Sequence, residues 1–188
     1  MALFSLTVGT VGISWQDALG AVFGNASGTQ INTILFDIRL PRILLAIFVG
    51  AVLASTGAVM QGLFRNPLAD PSLIGVSSGA SVGASIMIVT AGGAIQSGAL
   101  VGLSLVSIGA FVGGFLATLL VYRLATSGMG TSVTTMLLAG IAIGALAGAL
   151  NSLLSYFSDN DMLRQISLWQ MGNLSGASWL KVFIMGVV

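Results

Sequence analysis

The chain is expected to be all-α, a polytopic transmembrane helix bundle, on three grounds. Hydrophobic residues fill 56% of its 188 positions and charged residues 6%, against about 25% charged in a soluble domain. The mean hydropathy is +1.05. The charges also sit between apolar runs: 22 uncharged residues separate Arg42 from Arg65, and 52 run uncharged from Pro71 to Tyr122. A crossing needs about 20 apolar residues, so the first run is one crossing and the second is two with a tight connection. The expected bundle has about four full and two partial membrane helices in a single transmembrane domain over residues 1–188.

Each element has its own signal. Residues Met1 to Ile13 are apolar but too short to span, and they lack the basic start of a signal peptide. Ser14-Trp15-Gln16-Asp17 opens a short amphipathic segment through Phe23, with Ser14 as its N-cap. Gly24 to Thr29 reads as a polar turn. The first full helix is placed from Pro41 to Phe64, with Pro41 in the first turn, where its missing N–H costs nothing. Arg39 and Arg42 would then face the positive end of the helix dipole, a penalty of roughly 0.3–1 kcal/mol each. Asn66-Pro67 and Asp70-Pro71 are two successive cap-plus-proline signals, so a break falls at 65–71. Helices are expected over 72–90, 99–122 and 133–157, with turns at 91–98 and 127–132. The 158–178 loop should hold a short helix at 161–171, and a last helix begins near Trp179.

The glycines are spaced rather than scattered. Gly75, Gly79 and Gly83 fall every fourth residue, as do Gly140, Gly144 and Gly148. Residues four apart share a helix face, and glycine there lets two backbones approach closely. Ser77, Ser81 and Ser85 add a second small-residue stripe.

Catalysis is not indicated. Gly75-Val76-Ser77-Ser78-Gly79 fits the nucleophile-elbow pattern, but that pattern needs a strand–turn–helix and a histidine. The chain has no histidine and no cysteine, so zinc, haem-ligand and disulfide chemistry are not indicated, and no cofactor or metal is expected. Its only lysine, Lys181, follows no glycine-rich loop, so there is no nucleotide cradle. A net charge of +1 gives no reason to expect nucleic acid.

The motifs together resemble a family. Arg39-Leu40-Pro41-Arg42, the run Gly57 to Pro71 (Gly-Ala-Val-Met-Gln-Gly-Leu-Phe-Arg-Asn-Pro-Leu-Ala-Asp-Pro) and Leu73-Ile74-Gly75-Val76-Ser77-Ser78-Gly79-Ala80 are similar to the iron-chelate, haem and cobalamin importer permeases. These are the membrane subunits of type II ATP-binding-cassette importers. Leu137-Leu138-Ala139-Gly140 and Leu168-Trp169-Gln170-Met171-Gly172-Asn173-Leu174 extend the likeness. The resemblance implies a fragment of a longer permease, from the end of the first membrane helix to the start of the sixth.

What the resemblance implies about function is specific. The chain would be a non-enzymatic transport subunit in the bacterial inner membrane. It would move an iron chelate (haem or a ferric siderophore) or cobalamin from a periplasmic binding protein to the cytoplasm. Its partners would be a second permease copy and the ATP-binding-cassette ATPase subunits. Arg39 and Arg42 would face the periplasm and dock acidic residues of the binding protein. Ser132 and Thr134, at the cytoplasmic mouth, are the gate candidates. This topology puts Arg39, Arg42, Arg164 and Lys181 outside and Arg65 and Arg123 inside, against the positive-inside preference. Trp15, Trp169 and Trp179 share the outer side, as an aromatic belt requires. Asp159, Asp161, Leu163 and Arg164 before Trp169 resemble the haem branch more than the siderophore branch. A passive channel or a secondary transporter is the alternative. Coupled carriers keep ionisable groups within the membrane, and these helices have none at their centres.

Overall fold

The computed structural model describes residues 11–14, 20, 29–91, 100–128, 130–174 and 176–187. The expectations for Met1 to Thr10, for most of Ser14 to Phe23, for the turn at 24–28 and for most of that at 91–98 lie outside the described residues. The chain forms two compact units, Met1–Ser55 with Asn173–Val188, and Thr56–Gly172.

In the first unit the sequence placed a helix start wrongly. Helix begins at Thr29 with α1 (Thr29–Asn32), continues as a π-helix over Thr33–Arg39, and becomes α2 (Leu40–Phe64) without a break. Pro41 therefore lies in the helix interior, fully buried, and not in a first turn. An interior proline clashes with the carbonyl four residues back and removes a hydrogen bond. The wider π turn gives that carbonyl room, so the helix runs on. The dipole penalty expected for Arg39 and Arg42 disappears with the helix start that implied it. The missed signal was the spacing Ile31, Ile34, Leu35 and Ile38, one face of a helix. Leu35 packs there with Ile13, flanked by Ile31 and Ile34. The last helix of this unit, labelled α7, spans Trp179–Val187.

The second unit begins at Thr56, within α2, which ends at Phe64. Arg65 has φ 48°, Arg65 N–H bonds Gly62 O at 3.3 Å, and Asn66 N–H bonds Gln61 O at 3.1 Å. This pair of bonds is a Schellman stop with arginine where glycine is usual, at a cost of roughly 1–2 kcal/mol. Asn66 Oδ1 then accepts Leu68 N–H and Asp70 Oδ1 accepts Ser72 N–H. These two caps make the 65–71 break a shaped loop, leading into a 3-10 helix at Pro71–Ile74. Gly75, at φ 77°, turns that helix into α3 (Val76–Thr90). A Cβ on Gly75 would also press on Ile143 at 3.4 Å.

Helix α4 (Leu100–Ala125) runs three residues past the expected end, carrying Arg123 in its last turn, where a cation suits the dipole. A two-residue hairpin, β1 (Thr126–Ser127) with β2 (Gly130–Thr131), pairs Thr126 with Thr131. Then come α5 (Val133–Tyr156) and α6 (Asn160–Met171), the latter capped by Asp159, whose Oδ1 accepts Met162 N–H at 2.8 Å. Among the described residues three helices are long and apolar enough to cross a membrane: Gln30–Phe64, Leu105–Ala125 and Val133–Tyr156. The fourth expected crossing, α3, has 15 residues. That is about 22 Å of helix, short of a hydrocarbon core of about 30 Å.

Packing within this unit follows the glycines. A Cβ on Gly79 or Gly83 of α3 would lie under 3.0 Å from the carbonyls of Gly113 or Gly109 of α4. Gly109 and Gly113 are equally intolerant, so the two helices meet backbone to backbone. Gly140 of α5 meets the Leu73 carbonyl in the same way. Gly144 makes only ordinary contact and Gly148 faces open space. One core, Ala84, Ile88, Val106 and Ile166, seats α6 against α3 and α4. A second, Val121, Ala125 and Met136, joins the far end of α4 to the start of α5.

Two outcomes follow. Gly83→Ala forces a carbonyl contact and should cost about 1–3 kcal/mol, read as a lower thermal midpoint of the detergent-purified protein. Gly148→Ala has room and gains helix propensity, so its midpoint should hold or rise. The second outcome concerns pH. Hydrogen bonds from Ser72, its side chain first and then its backbone N–H, lower the Asp70 pKa from 3.8. A carboxyl depressed in the folded state stabilises above its unfolded value and loses that as pH falls through the folded value. The cap should therefore survive to below the ordinary Asp range. Asp70→Ala should speed exchange of the Ser72 amide at neutral pH, and acid alone should reproduce this only at the low extreme.

Candidate functional site

In the first unit the two arginines straddle a change of helix type. Arg39 closes the π turn and Arg42 lies in the first turn of α2. The last bond of the π turn runs from Leu40 N–H to Leu35 O, five residues back. The Arg39 guanidinium, half-buried, donates to the carbonyl of Val11. Arg42 is exposed. Part of the Arg39 charge is thus met by a carbonyl of the same chain. The indole of Trp179, at the start of α7, donates to Phe36 O at 3.0 Å.

In the second unit the hydroxyl turn before α5 is built by capping. Ser132 is the N-cap, its Oγ accepting Thr135 N–H at 3.3 Å and Thr135 Oγ1–H at 3.0 Å. Thr126 and Thr131 share a hydroxyl–hydroxyl bond of 3.0 Å across the hairpin. Thr134 is exposed beside them. Five hydroxyls therefore gather at one helix start with no charge among them: Thr126, Thr131, Ser132, Thr134 and Thr135.

A polar junction also forms that sequence reasoning missed. Ser81 Oγ accepts Asn151 Nδ2–H at 3.0 Å and Gln170 Nε2–H at 3.3 Å. It ties α3, α5 and α6 at one hydroxyl. The serine stripe pointed to Ser81 as small, but no spacing in the sequence shows that Asn151 and Gln170 converge on it. The glycine partners on α4, Gly109 and Gly113, were missed as well, although they too are four apart and that spacing could have found them.

Between α3, α4 and α5 lies an apolar cleft of about 420 Å³, bordered by Ile86, Ile108, Leu116, Ile143, Leu146 and Leu150 among others. No titratable side chain lines it. The nucleophile-elbow match resolves as helix packing: Gly75 is the joint between two helices and Ser78 Oγ–H bonds back to Gly75 O at 3.0 Å. Among the described residues no group of His, Cys, Asp or Glu could hold a metal.

Known proteins match this arrangement closely. The FecCD transport family matches residues 1–188. The hemin transport system permease protein HmuU of Yersinia pestis is 40% identical over 184 residues, which are 98% of this chain and 53% of that protein. The cobalamin import system permease protein BtuC of Halobacterium salinarum is 44% identical over 160 residues, 85% of this chain and 40% of that one. A solved structure described as an inward-facing conformation of a metal-chelate type ABC transporter superposes with TM-score 0.78 at 34% identity. That match covers 99% of this chain and 54% of the solved one. The chain thus spans about half the length of the relatives it matches. With apolar spans, backbone-close glycine crossings and a match along its whole length, the chain belongs to the FecCD transport family.

Proposed function

We propose that this chain is the N-terminal part of the transmembrane domain of an inner-membrane permease that imports a metal chelate, with haem the leading substrate. The observation that carries the reading is the match of the family along the whole chain. The haemin permease relative and the acidic, Arg164-bearing start of α6 favour haem over a siderophore or cobalamin. The full-length permease would work as a homodimer with two ATPase subunits and a periplasmic binding protein. It would hydrolyse no ATP itself. The alternative of a proton-coupled secondary transporter is disfavoured because residues 43–64, 76–90, 100–122 and 133–156 contain no Asp, Glu, Lys or Arg. Competitive uptake of haem, ferric siderophore and cobalamin by the full-length permease tests the substrate. Haem should win, and equal uptake of all three would remove the assignment.

Arg39 and Arg42 are proposed to dock the binding protein. A guanidinium pairs a carboxylate through two parallel hydrogen bonds, and rim pairs of this kind guide encounter and register. Arg42 is exposed for such pairing, and Arg39 is held in a defined place by the Val11 carbonyl. Reversing both to Glu should abolish stimulation of ATP hydrolysis by the binding protein while leaving basal hydrolysis and assembly intact. Raising salt should weaken the wild-type stimulation. Unchanged stimulation in the double variant would return both residues to the role of lipid anchors.

Thr134, with Ser132, is proposed as the cytoplasmic gate. Ser132 is engaged in capping, which leaves Thr134 as the side chain able to narrow the mouth. The 188 residues contain no cysteine, so Thr134→Cys can be labelled selectively within this part of the chain. A bulky thiol-directed label there should block uptake by the full-length protein. Normal uptake after complete labelling would end the gate assignment.

A further inference from the structure

Pro41 deprives Phe36 of a hydrogen bond that its helix should supply. In the π turn each carbonyl bonds the N–H five residues on, as Leu35 O does with Leu40 N–H. For Phe36 that residue is Pro41, which has no N–H. The alternative donor four residues on is Leu40, whose N–H is already given to Leu35. A helix carbonyl without an intrahelical donor needs another partner, from the protein or from water. The indole N–H of Trp179 supplies the bond, at 3.0 Å.

Trp179 reaches Phe36 from another part of the chain in the same compact unit. Further along, a Cβ on Gly186 would touch the Phe48 ring at 3.5 Å, so α7 runs beside α2 in the same sense. Trp179 as a residue is 46% exposed, so its N–H, more than its burial, is what ties it to the π turn. The turn itself sets the two arginines. If it reverted to α-helix, one residue would leave the register, and the part before it would rotate by about 100° against the part after it. Arg39 is the last residue of the turn and Arg42 lies one turn further on, so the two would rotate together against α1.

We propose that Trp179 is a positioning residue for the Arg39–Arg42 pair: its indole N–H satisfies the Phe36 carbonyl, keeps the π turn open and so holds the pair in docking register. The proposal rests on the docking reading of these arginines given above.

The test uses the full-length permease with its ATPase subunits and binding protein. Trp179→Phe keeps the ring and removes the N–H. It should raise the binding-protein concentration for half-maximal ATPase stimulation about tenfold, the scale of one lost hydrogen bond, with basal hydrolysis unchanged. It should also speed hydrogen exchange in the peptide spanning residues 36–42. In a Pro41→Ala background, Phe36 can find a backbone donor, so Trp179→Phe should then change neither quantity further. Unaltered exchange in Trp179→Phe, or additive effects of the two substitutions, would overturn the latch. Faster exchange with unaltered stimulation would overturn the positioning role. The Glu reversal of Arg39 and Arg42 judges the docking reading separately, because the exchange measurement does not depend on it.

Discussion

Backbone contact between α3 and α4 is the constraint on which the second compact unit depends. Lipid is as apolar as leucine, so helices in a bilayer gain little from hiding side chains from one another, and close packing has to supply the association. Gly79 and Gly83 meet Gly109 and Gly113 so closely that none of the four leaves space for a methyl group. That seam brings Ala84, Ile88 and Val106 into one core and fixes the antiparallel pair against which α5 and α6 are laid. Gly140 repeats the device against Leu73, at the point where the 3-10 helix and α5 cross.

The irregular backbone is concentrated at the ends and joints of these helices. A π turn precedes Pro41, a left-handed Arg65 stops α2, and a left-handed Gly75 joins the 3-10 helix to α3. Each is held by a named bond: Trp179 to Phe36, Asn66 to Gln61, and Gly75 N–H to Ser72 O. In a low-dielectric surrounding, an irregular backbone persists only where its polar groups are met in this way. The first of these joints sits next to the arginine pair, and the other two flank the shaped 65–71 loop. Such a position suits a permease, whose parts move as packed bodies about a few joints.

The polar side chains are few, and they act as ties. Ser81 receives the amides of Asn151 and Gln170, so one hydroxyl links three helices. Ser132 caps α5, and the Thr126–Thr131 bond closes the hairpin leading into it. No titratable group lines the cleft between α3, α4 and α5, so the polar ties lie outside it. The apolar spans and the close helix crossings accord with membership of the FecCD transport family.

From sequence alone, the class, the apolar spans and the spaced glycines were legible, because hydropathy and four-residue spacing are local properties of a helix. The caps at Asn66 and Asp70 were readable for the same reason, since each acts on a residue two away, whereas the caps at Ser132 and Asp159, which act three residues away, emerged from the structure. Pro41 misled, since a proline beside two charges is the usual mark of a helix start, and only tertiary packing of Leu35 with Ile13 and the bond from Trp179 let the helix run through it. The length of α3 was likewise decided by Gly75, whose left-handed turn splits an apolar run that looked continuous. The meeting of Ser81, Asn151 and Gln170, and the choice of Gly79, Gly83 and Gly140 over Gly148 as crossing points, came from the fold. Hydropathy says which residues lie in lipid, but contacts between residues 70 or 143 positions apart depend on how the helices cross, and that angle is set by the packing of whole faces.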